Sequence, residues 1–562
     1  MMSAPAAATC GADSPLGAMF AAAVQFFAAA QCALTEPWPP VPTVANNSHY
    51  DIIVVGSGTA GSVLARGCRR CRSTKYDWNY TTEDDQFSSQ ELQHGAQRQP
   101  RGRLLGGCDS MSDMVYTRGF PSDYEAWAAA LGPQWGWPTV LEYFKKTERM
   151  TDELITPHPE LMKRHGTAGE LHVSGARRYS HTTQVFYDAF KELGFEMVED
   201  MTDPTKIGVG RFSHTIRRGR RHSVVTALLN KAGPRHNLHV LRDATATQIL
   251  FDGARAAGVA VLIDGREHHF YADKEVILSA GVFNTPKLLM LSGIGPREHL
   301  EALGVPVRAD LPHLAAAPGT CPSPAPARYA ALLRYLHDQG GNFSETDTMG
   351  AYMVNETANP RAPEFAMFPT CLPAGYGFYA GCTSILGFKE GICRALDDAN
   401  REHELITVAL VLLDPRSTGR VRLRSRDPLA PPLIYSGTFS HAADLARFPA
   451  AMRKALSLKD TEFLKARGAR VVELPLASCA GEEGEAALAC RARATATSAW
   501  HAAGTARAGA VLDAELRVRG VPGLRVVDAS VMPRLVSSNT NAAVVMIAER
   551  AADFIKTQYG FQ

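Results

Sequence analysis

Charge of one sign is what this sequence most plainly lacks: 59 Lys and Arg stand against 57 Asp and Glu in 562 residues, a formal net charge of +2. So balanced a chain has no general electrostatic pull toward nucleic acid or an anionic membrane, and a polyanion-binding role is not expected. Cysteine is too sparse for a disulfide-built scaffold, and the odd count of 11 leaves at least one thiol without an intramolecular partner. Cys68 and Cys71 form a lone C-x-x-C with no second pair, so no metal site is expected. Internal repeats are absent. No Lys or Arg precedes the apolar stretch from Leu16 to Leu34, which is interrupted only by Gln25 and Gln31. Without a basic flank two readings stay open, a signal peptide cut near Ala28-Ala29-Ala30 and a buried N-terminal helix, and neither is an integral membrane span. Sequons at Asn46, Asn79, Asn342 and Asn355 lean toward an extracellular location.

What is present describes a loop-rich globular chain: 45% hydrophobic residues and 21% charged ones, with 47 Gly and 34 Pro. The length exceeds the roughly 250 to 300 residues at which one core stops growing, so about two structural units are expected. Tyr50-Asp51-Ile52-Ile53-Val54-Val55 reads as a buried parallel strand. It runs into Gly56-Ser57-Gly58-Thr59-Ala60-Gly61 and then an apolar helix start, the order a dinucleotide-binding turn requires. Gly56 would allow the tight turn, Gly58 the approach of backbone amides to a pyrophosphate, and Gly61 close packing of helix on strand. Further on, Asn237 to Leu262 alternates as a hairpin with Asp252-Gly253 at its turn, and Val276 to Ala280 reads as a buried strand. A helix is expected from Thr285 to Leu291, and Ala315 to Ala327 as a flexible connection. Ile406 to Leu413 and Val421 to Leu423 read as strands of a separate sheet. Leu524 to Val527 reads as another buried strand, and a last helix is expected from Asn541 to Ile555. The Trp135-Gly136-Trp137 cluster reads as core.

Two stretches together carry a family resemblance. One is Gly281-Val282-Phe283-Asn284-Thr285-Pro286, continuing to Ser292-Gly293-Ile294-Gly295-Pro296. The other is Trp500-His501-Ala502-Ala503-Gly504-Thr505, followed by Val527-Asp528-Ala529-Ser530 and Asn539-Thr540-Asn541. Over residues 50 to 312 and 405 to 557 the chain resembles the glucose-methanol-choline oxidoreductases, flavoproteins that oxidise alcohols with FAD. The Gly107-Cys108-Asp109-Ser110 turn and the run from Phe26 to Trp38 are similar to its insect branch. The resemblance implies an α/β fold, a Rossmann-like FAD-binding domain interleaved with an α+β substrate-binding domain on an antiparallel sheet. The expected division is an N-terminal segment over 1–49, an FAD-binding domain over 50–312 with 500–557, and a mainly substrate-binding domain over 313–499. Part of the substrate region is expected near 120–215.

By the same resemblance His501 is the base that takes the hydroxyl proton, and Asn539 hydrogen-bonds the substrate oxygen. The imidazole suits that task because its ordinary pKa of about 6.5 leaves it largely neutral near neutral pH. Contacts to FAD are implied at Gly56, Gly58, Thr59, Gly61, Ala246, Ala280, Gly281, Asp528 and Ala529, with Asn541 opening a helix toward the flavin. Asn539 and Asn541 equally suit helix capping, and both roles can hold together. A small-molecule alcohol is the expected partner, an ecdysteroid 3-hydroxyl or glucose, with O2 or a quinone as acceptor.

The pattern also departs from the family. The acidic residue expected about twenty positions beyond the glycines, at the end of a second nucleotide-binding strand, is not found. Cys108-Asp109 replaces a Ser or Thr pair, and Ser112 stands where the family has Asn. An anionic Asp109 beside a pyrophosphate would be repulsive unless a cation intervened. These departures keep a second expectation alive, a decayed relative without FAD that acts as a binding protein.

Overall fold

A computed structural model describes residues 44–65, 76–176, 180–202, 206–229, 237–314, 348–354 and 362–561. The Leu16 to Leu34 stretch, Cys68 and Cys71, the Ala315 to Ala327 connection and the sequons at Asn342 and Asn355 lie outside the described residues. By its contacts the chain from Thr43 onward is one unit. In chain order its relevant elements begin with β1 (Ser48–Val55), α1 (Thr59–Ala65), β2 (Tyr80–Thr81) and β3 (Arg98–Gln99). Next come α2 (Pro121–Leu131), α3 (Trp137–Thr147), β4 (Val209–Arg211), β5 (Ala244–Asp252), β6 (Arg255–Ile263) and β7 (Arg266–Leu278). They are followed by α4 (Asn284–Leu291), β8 (Met349–Met353), β9 (Phe365–Leu372), α5 (Glu390–Glu402) and β10 (Leu405–Leu412). Last are β11 (Arg420–Arg422), β12 (Leu433–Tyr435), β13 (Leu524–Val526) and α6 (Asn541–Tyr559).

The β-branched run of β1 pairs in parallel with the far half of β7, Ile53 opposite Val276 and Val55 opposite Leu278. β13 pairs in parallel along the other side of that half, Val276 opposite Leu524. The near half of β7 turns back on β6, and β6 on β5, as the hairpin reading requires; Gly253 takes φ +56° at the turn. The first strand of that hairpin starts at Ala244, later than the alternation suggested. Leu278, Val526, Ala543, Met546 and Ile547 are buried in one core, to which α2 and α3 bring Tyr124, Trp127 and Phe144, and the turn between them Trp135. Sheet and helix residues with no polar partner to offer have only each other to bury against, and this core follows.

A second sheet, in the order β10-β9-β8-β4, is antiparallel throughout. β4 comes from the 120–215 region and the other three strands from 349–412, so the two sheets interleave along the chain. The Val421 to Leu423 strand does not join this sheet. It is β11, and it pairs with β12 alone in a two-stranded ribbon, because Arg420 and Arg422 flank a single inward Val421 and leave too little apolar edge for wider pairing. Disulfides join Cys382 to Cys393 on α5 and Cys479 to Cys490, while Cys108 and Cys371 are free thiols among the described residues.

The stretch beside the glycine loop where a gap is expected, residues 66–75, lies outside the described residues. Among the described residues no strand pairs with β1 on the side away from β7. No helix among them is long and apolar enough to cross a membrane, and none of their acidic, His and Cys side chains form a metal-binding cluster.

Candidate active site

The carboxyl ends of β1, β7 and β13 open onto one continuous cavity of about 3660 Å3. Ligand sites usually measure about 300 to 1,000 Å3, so this one has room for a dinucleotide and a second molecule together. All the residues expected at the site border it except Gly61. Gly61 works behind the wall: a Cβ there would stand 2.0 Å from the carbonyl oxygen of Gly56. Gly56 itself turns at φ +107°, where a Cβ would stand 2.3 Å from the Ser279 carbonyl oxygen. Gly58 differs from both. Nothing comes closer to its added Cβ than that same carbonyl at 4.0 Å, so the space beside it is open toward the cavity.

Two other segments are tied to this loop. The Gly106 amide donates to the Ser57 carbonyl (2.6 Å). Asn541, at the start of the 19-residue α6, accepts from the Thr59 hydroxyl (2.9 Å) and donates to Asp109 Oδ1 (2.8 Å). Asp109 Oδ2 accepts from the Val224 amide (2.7 Å), and Arg221 donates to the Asp109 carbonyl (2.9 Å) and to the Ser112 carbonyl (2.6 Å). Burial pushes the Asp109 carboxyl up, against the pull of the Val224 amide, the Arg221 charge and Asn541. The Asp109 carboxylate is therefore satisfied within the wall by the Val224 amide and Asn541, with the Arg221 charge nearby.

Asp528 is equally committed. Its carboxylate accepts from the Gly281 amide (2.9 Å), the Thr285 hydroxyl (2.7 Å) and the Ser530 amide (2.7 Å), joining β13 to the turn before α4. Ala280 and Ala529 border the cavity at that join, and Ala246 borders it from β5. An open glycine turn and the start of a long helix on one cavity wall suit an anionic dinucleotide, because the positive helix end favours negative charge. The described residues thus fit FAD at the pyrophosphate and flavin ends.

On the cavity lining His501 Nε2 lies 3.0 Å from Asn539 Nδ2, and Nδ1 lies 3.3 Å from Thr540 Oγ1. With the Asn539 amide donating to Nε2, the ring proton sits on Nδ1 and points at Thr540. Burial and the positive charge of Arg101 lower the His501 pKa to about 4, which keeps the imidazole neutral near pH 7. Thr540 escaped the sequence reading although it stands between two residues singled out; a hydroxyl facing one ring nitrogen leaves no mark in a single sequence. The residue before the histidine, Trp500, holds φ +65°, a strained conformation for a bulky side chain costing about 1 to 3 kcal/mol.

The opposite wall belongs to the antiparallel sheet. Ala366, Phe368 and Thr370 of β9 and Ala409 and Val411 of β10 border the cavity, while Met367 and Leu410 pack away from it in a second core. This wall offers apolar contact area and few hydrogen bonds.

Comparison with known proteins agrees with the geometry. Models of the GMC oxidoreductase N-terminal and C-terminal regions match residues 50–315 and 415–548. The chain is 48% identical to an ecdysone oxidase of Spodoptera littoralis, over 98% of each chain, and 45% identical to one of Bombyx mori, over 98% of this chain and 88% of the other. A glucose dehydrogenase [FAD, quinone] of Drosophila melanogaster is 29% identical, over 99% and 94% of the two chains. Pyridoxine 4-oxidase from Mesorbium loti superposes with a TM-score of 0.72 at 26% identity, over 91% of this chain and 99% of its own. A variant of the Aspergillus oryzae formate oxidase superposes with a TM-score of 0.75 at 23% identity, over 92% and 100%. The two ecdysone oxidase alignments span 590 and 591 positions, more than the 562 residues present, so those relatives hold residues this chain does not. A glycine-lined dinucleotide cradle, a neutral histidine paired with asparagine and matches over both halves of the chain lead to one assignment: this chain belongs to the GMC oxidoreductase family, whose members are FAD-dependent oxidoreductases acting on alcohols.

Proposed function

We propose that the chain oxidises a secondary alcohol on a large apolar body, the 3-hydroxyl of an ecdysteroid, with His501 taking the hydroxyl proton. The observation that carries this is the neutral imidazole bonded between Asn539 and Thr540, in a cavity bordered both by the glycine cradle and by the apolar wall. FAD bound in the cradle supplies the acceptor for the carbinol hydride. Gly58, Thr59, Ala280, Ala529 and the first turn of α6 would hold it.

Nδ1 carries the ring proton toward Thr540, so Nε2 is the acceptor nitrogen, and its lone pair, held by the Asn539 amide in the absence of substrate, takes the hydroxyl proton once the substrate displaces that amide. The Asn539 amide, displaced from Nε2, donates instead to the substrate oxygen and stabilises negative charge building there. Phe368, Ala366 and Val411 present the apolar surface a sterol ring system needs and keep water from the reacting carbon. Identities of 48% and 45% to two ecdysone oxidases support an ecdysteroid over glucose, for which the relative is 29% identical. O2 or a quinone takes the electrons onward. Two disulfides support an extracellular location, as do exposed sequon residues at Asn46 and Asn79.

The test is the visible spectrum of the purified full chain, before and after anaerobic addition of an ecdysteroid and, separately, glucose. Flavin colour bleached by the ecdysteroid alone is the expected result; bleaching by glucose alone moves the substrate to a sugar. A colourless, stably folded protein means that the chain does not hold the cofactor and is a binding protein. His501→Ala is expected to retain flavin and lose at least about a hundredfold in its reduction rate. Oxygen uptake against quinone bleaching then separates the two acceptors.

A further inference from the structure

The ring of His501 is held on one side by Asn539 and Thr540, but the main chain that aims the ring is fixed from elsewhere. Trp500, whose peptide leads directly into His501, keeps its left-handed backbone (φ +65°) under two anchors. Its indole Nε1–H donates to the Arg98 carbonyl (3.0 Å), and its backbone N–H donates to Ser498 Oγ (2.9 Å). Ser498, fully buried, donates in turn to Gln99 Oε1 (3.4 Å), which also accepts from Arg101 Nη2 (3.3 Å). Arg98 and Gln99 are the two residues of β3, paired with Thr81 and Tyr80 of β2. A bulky residue stays in this backbone region only when its surroundings over-determine it. Here both anchors trace to one short ribbon.

We propose that the β2–β3 ribbon is the positioning element of the active site, with Trp500 the positioning residue through which Arg98, Gln99 and Ser498 aim the His501 ring. This inference rests on the reading of His501 as the proton acceptor. The ribbon does more than hold the fold, because the same strip carries Arg101, whose charge faces His501 and, with burial, keeps the ring neutral. On the other side the partners, Asn539 and Thr540, are uncharged. Aim and protonation state are thereby set from one place. A ring loosened from the clamp would lose alignment with the substrate hydroxyl, admit water and regain a more ordinary pKa.

The experiment uses the full-length flavoprotein with Trp500→Phe, which keeps an aromatic ring and removes only the indole donor. Three quantities are read: flavin retention, the anaerobic flavin reduction rate with its KM across pH, and the His501 titration by NMR. The His501 resonances are identified by their loss in His501→Ala. The expected result is retained flavin, a reduction rate lower by about tenfold or more, and KM within about twofold. The acid limb of the rate profile and the NMR titration should both move up from about 4 toward the ordinary histidine value. A purely structural role lowers the yield of folded enzyme and moves neither. Wild-type rate and an unmoved titration overturn the proposal. If Trp500→Phe does not fold, Ser498→Ala removes the other anchor and is held to the same outcomes. If no alcohol reduces the wild-type flavin, the functional reading fails while the titration of His501 still decides the clamp.

Discussion

The two sheets that border the cavity do their work by different means. On the parallel side the fit is made by the backbone: glycines placed where a Cβ would collide, amides and carbonyls joined between β1, β7 and β13, and the first turn of α6. On the antiparallel side the facing backbones of β9 and β10 are engaged in their shared ladder, and side chains such as Phe368, Thr370, Ala409 and Val411 line the cavity. One wall should therefore be intolerant of change and indifferent to the alcohol, the other tolerant of change and decisive for it.

The largest effect expected from that contrast is at Gly61. An alanine Cβ would stand 2.0 Å from the Gly56 carbonyl oxygen, a backbone atom with no flexible end to give way. Gly61→Ala should therefore abolish flavin retention, read as loss of visible absorbance per mole of protein; a yellow variant would break the comparison. A smaller effect is expected at Phe368, on the opposite wall. Phe368→Ala should leave flavin binding unchanged and raise KM for the apolar alcohol by about tenfold, the order of one lost aromatic contact of about 1.5 kcal/mol or more. Loss of flavin from this variant would mean that the walls are not independent. The smallest expected effect is on pH dependence. Because the His501 pKa is lowered, the ring stays neutral until the pH falls to about 4, so flavin reduction should hold level down the mildly acidic range and decline only near that value. A limb near 6.5 would show that the cavity admits far more water than its geometry implies. Stability runs in the same sense: between 6.5 and about 4 the unfolded chain binds a proton at this histidine that the folded chain refuses, so this site destabilises the fold progressively as pH drops through that window.

The same contrast explains what could be read in advance. Gly56, Gly58 and Gly61 were legible because a strand-to-helix turn over a phosphate needs glycine for steric reasons local to six residues. β1, the far end of β7, β13 and α6 were legible for a related reason, since each carries a short local cluster of apolar residues. His501 and Asn539 were legible only as parts of a longer family motif, for nothing in a lone histidine announces its neighbours. The Trp500 clamp was beyond reach: its indole partner Arg98 lies 402 positions earlier, in a two-residue strand with no periodicity to show. Placing Val421 to Leu423 in the larger sheet failed because a short apolar run states that it will pair but not with what. Phe368 lies in a strand that the sequence reading did not mark, and the apolar run that holds Val411 does not say which face will meet a ligand.

The ladder between β9 and β10 has a consequence for the history of such enzymes. Its hydrogen bonds belong to the main chain, from Phe365 opposite Leu412 to Leu372 opposite Leu405, so they are unaffected by which side chains the strands carry. Replacing one cavity-facing residue reshapes the lining by one side chain and leaves the scaffold standing. A lineage can therefore wander among alcohols in single steps while its redox apparatus stays fixed, and neighbouring substrates need no new architecture to be reached.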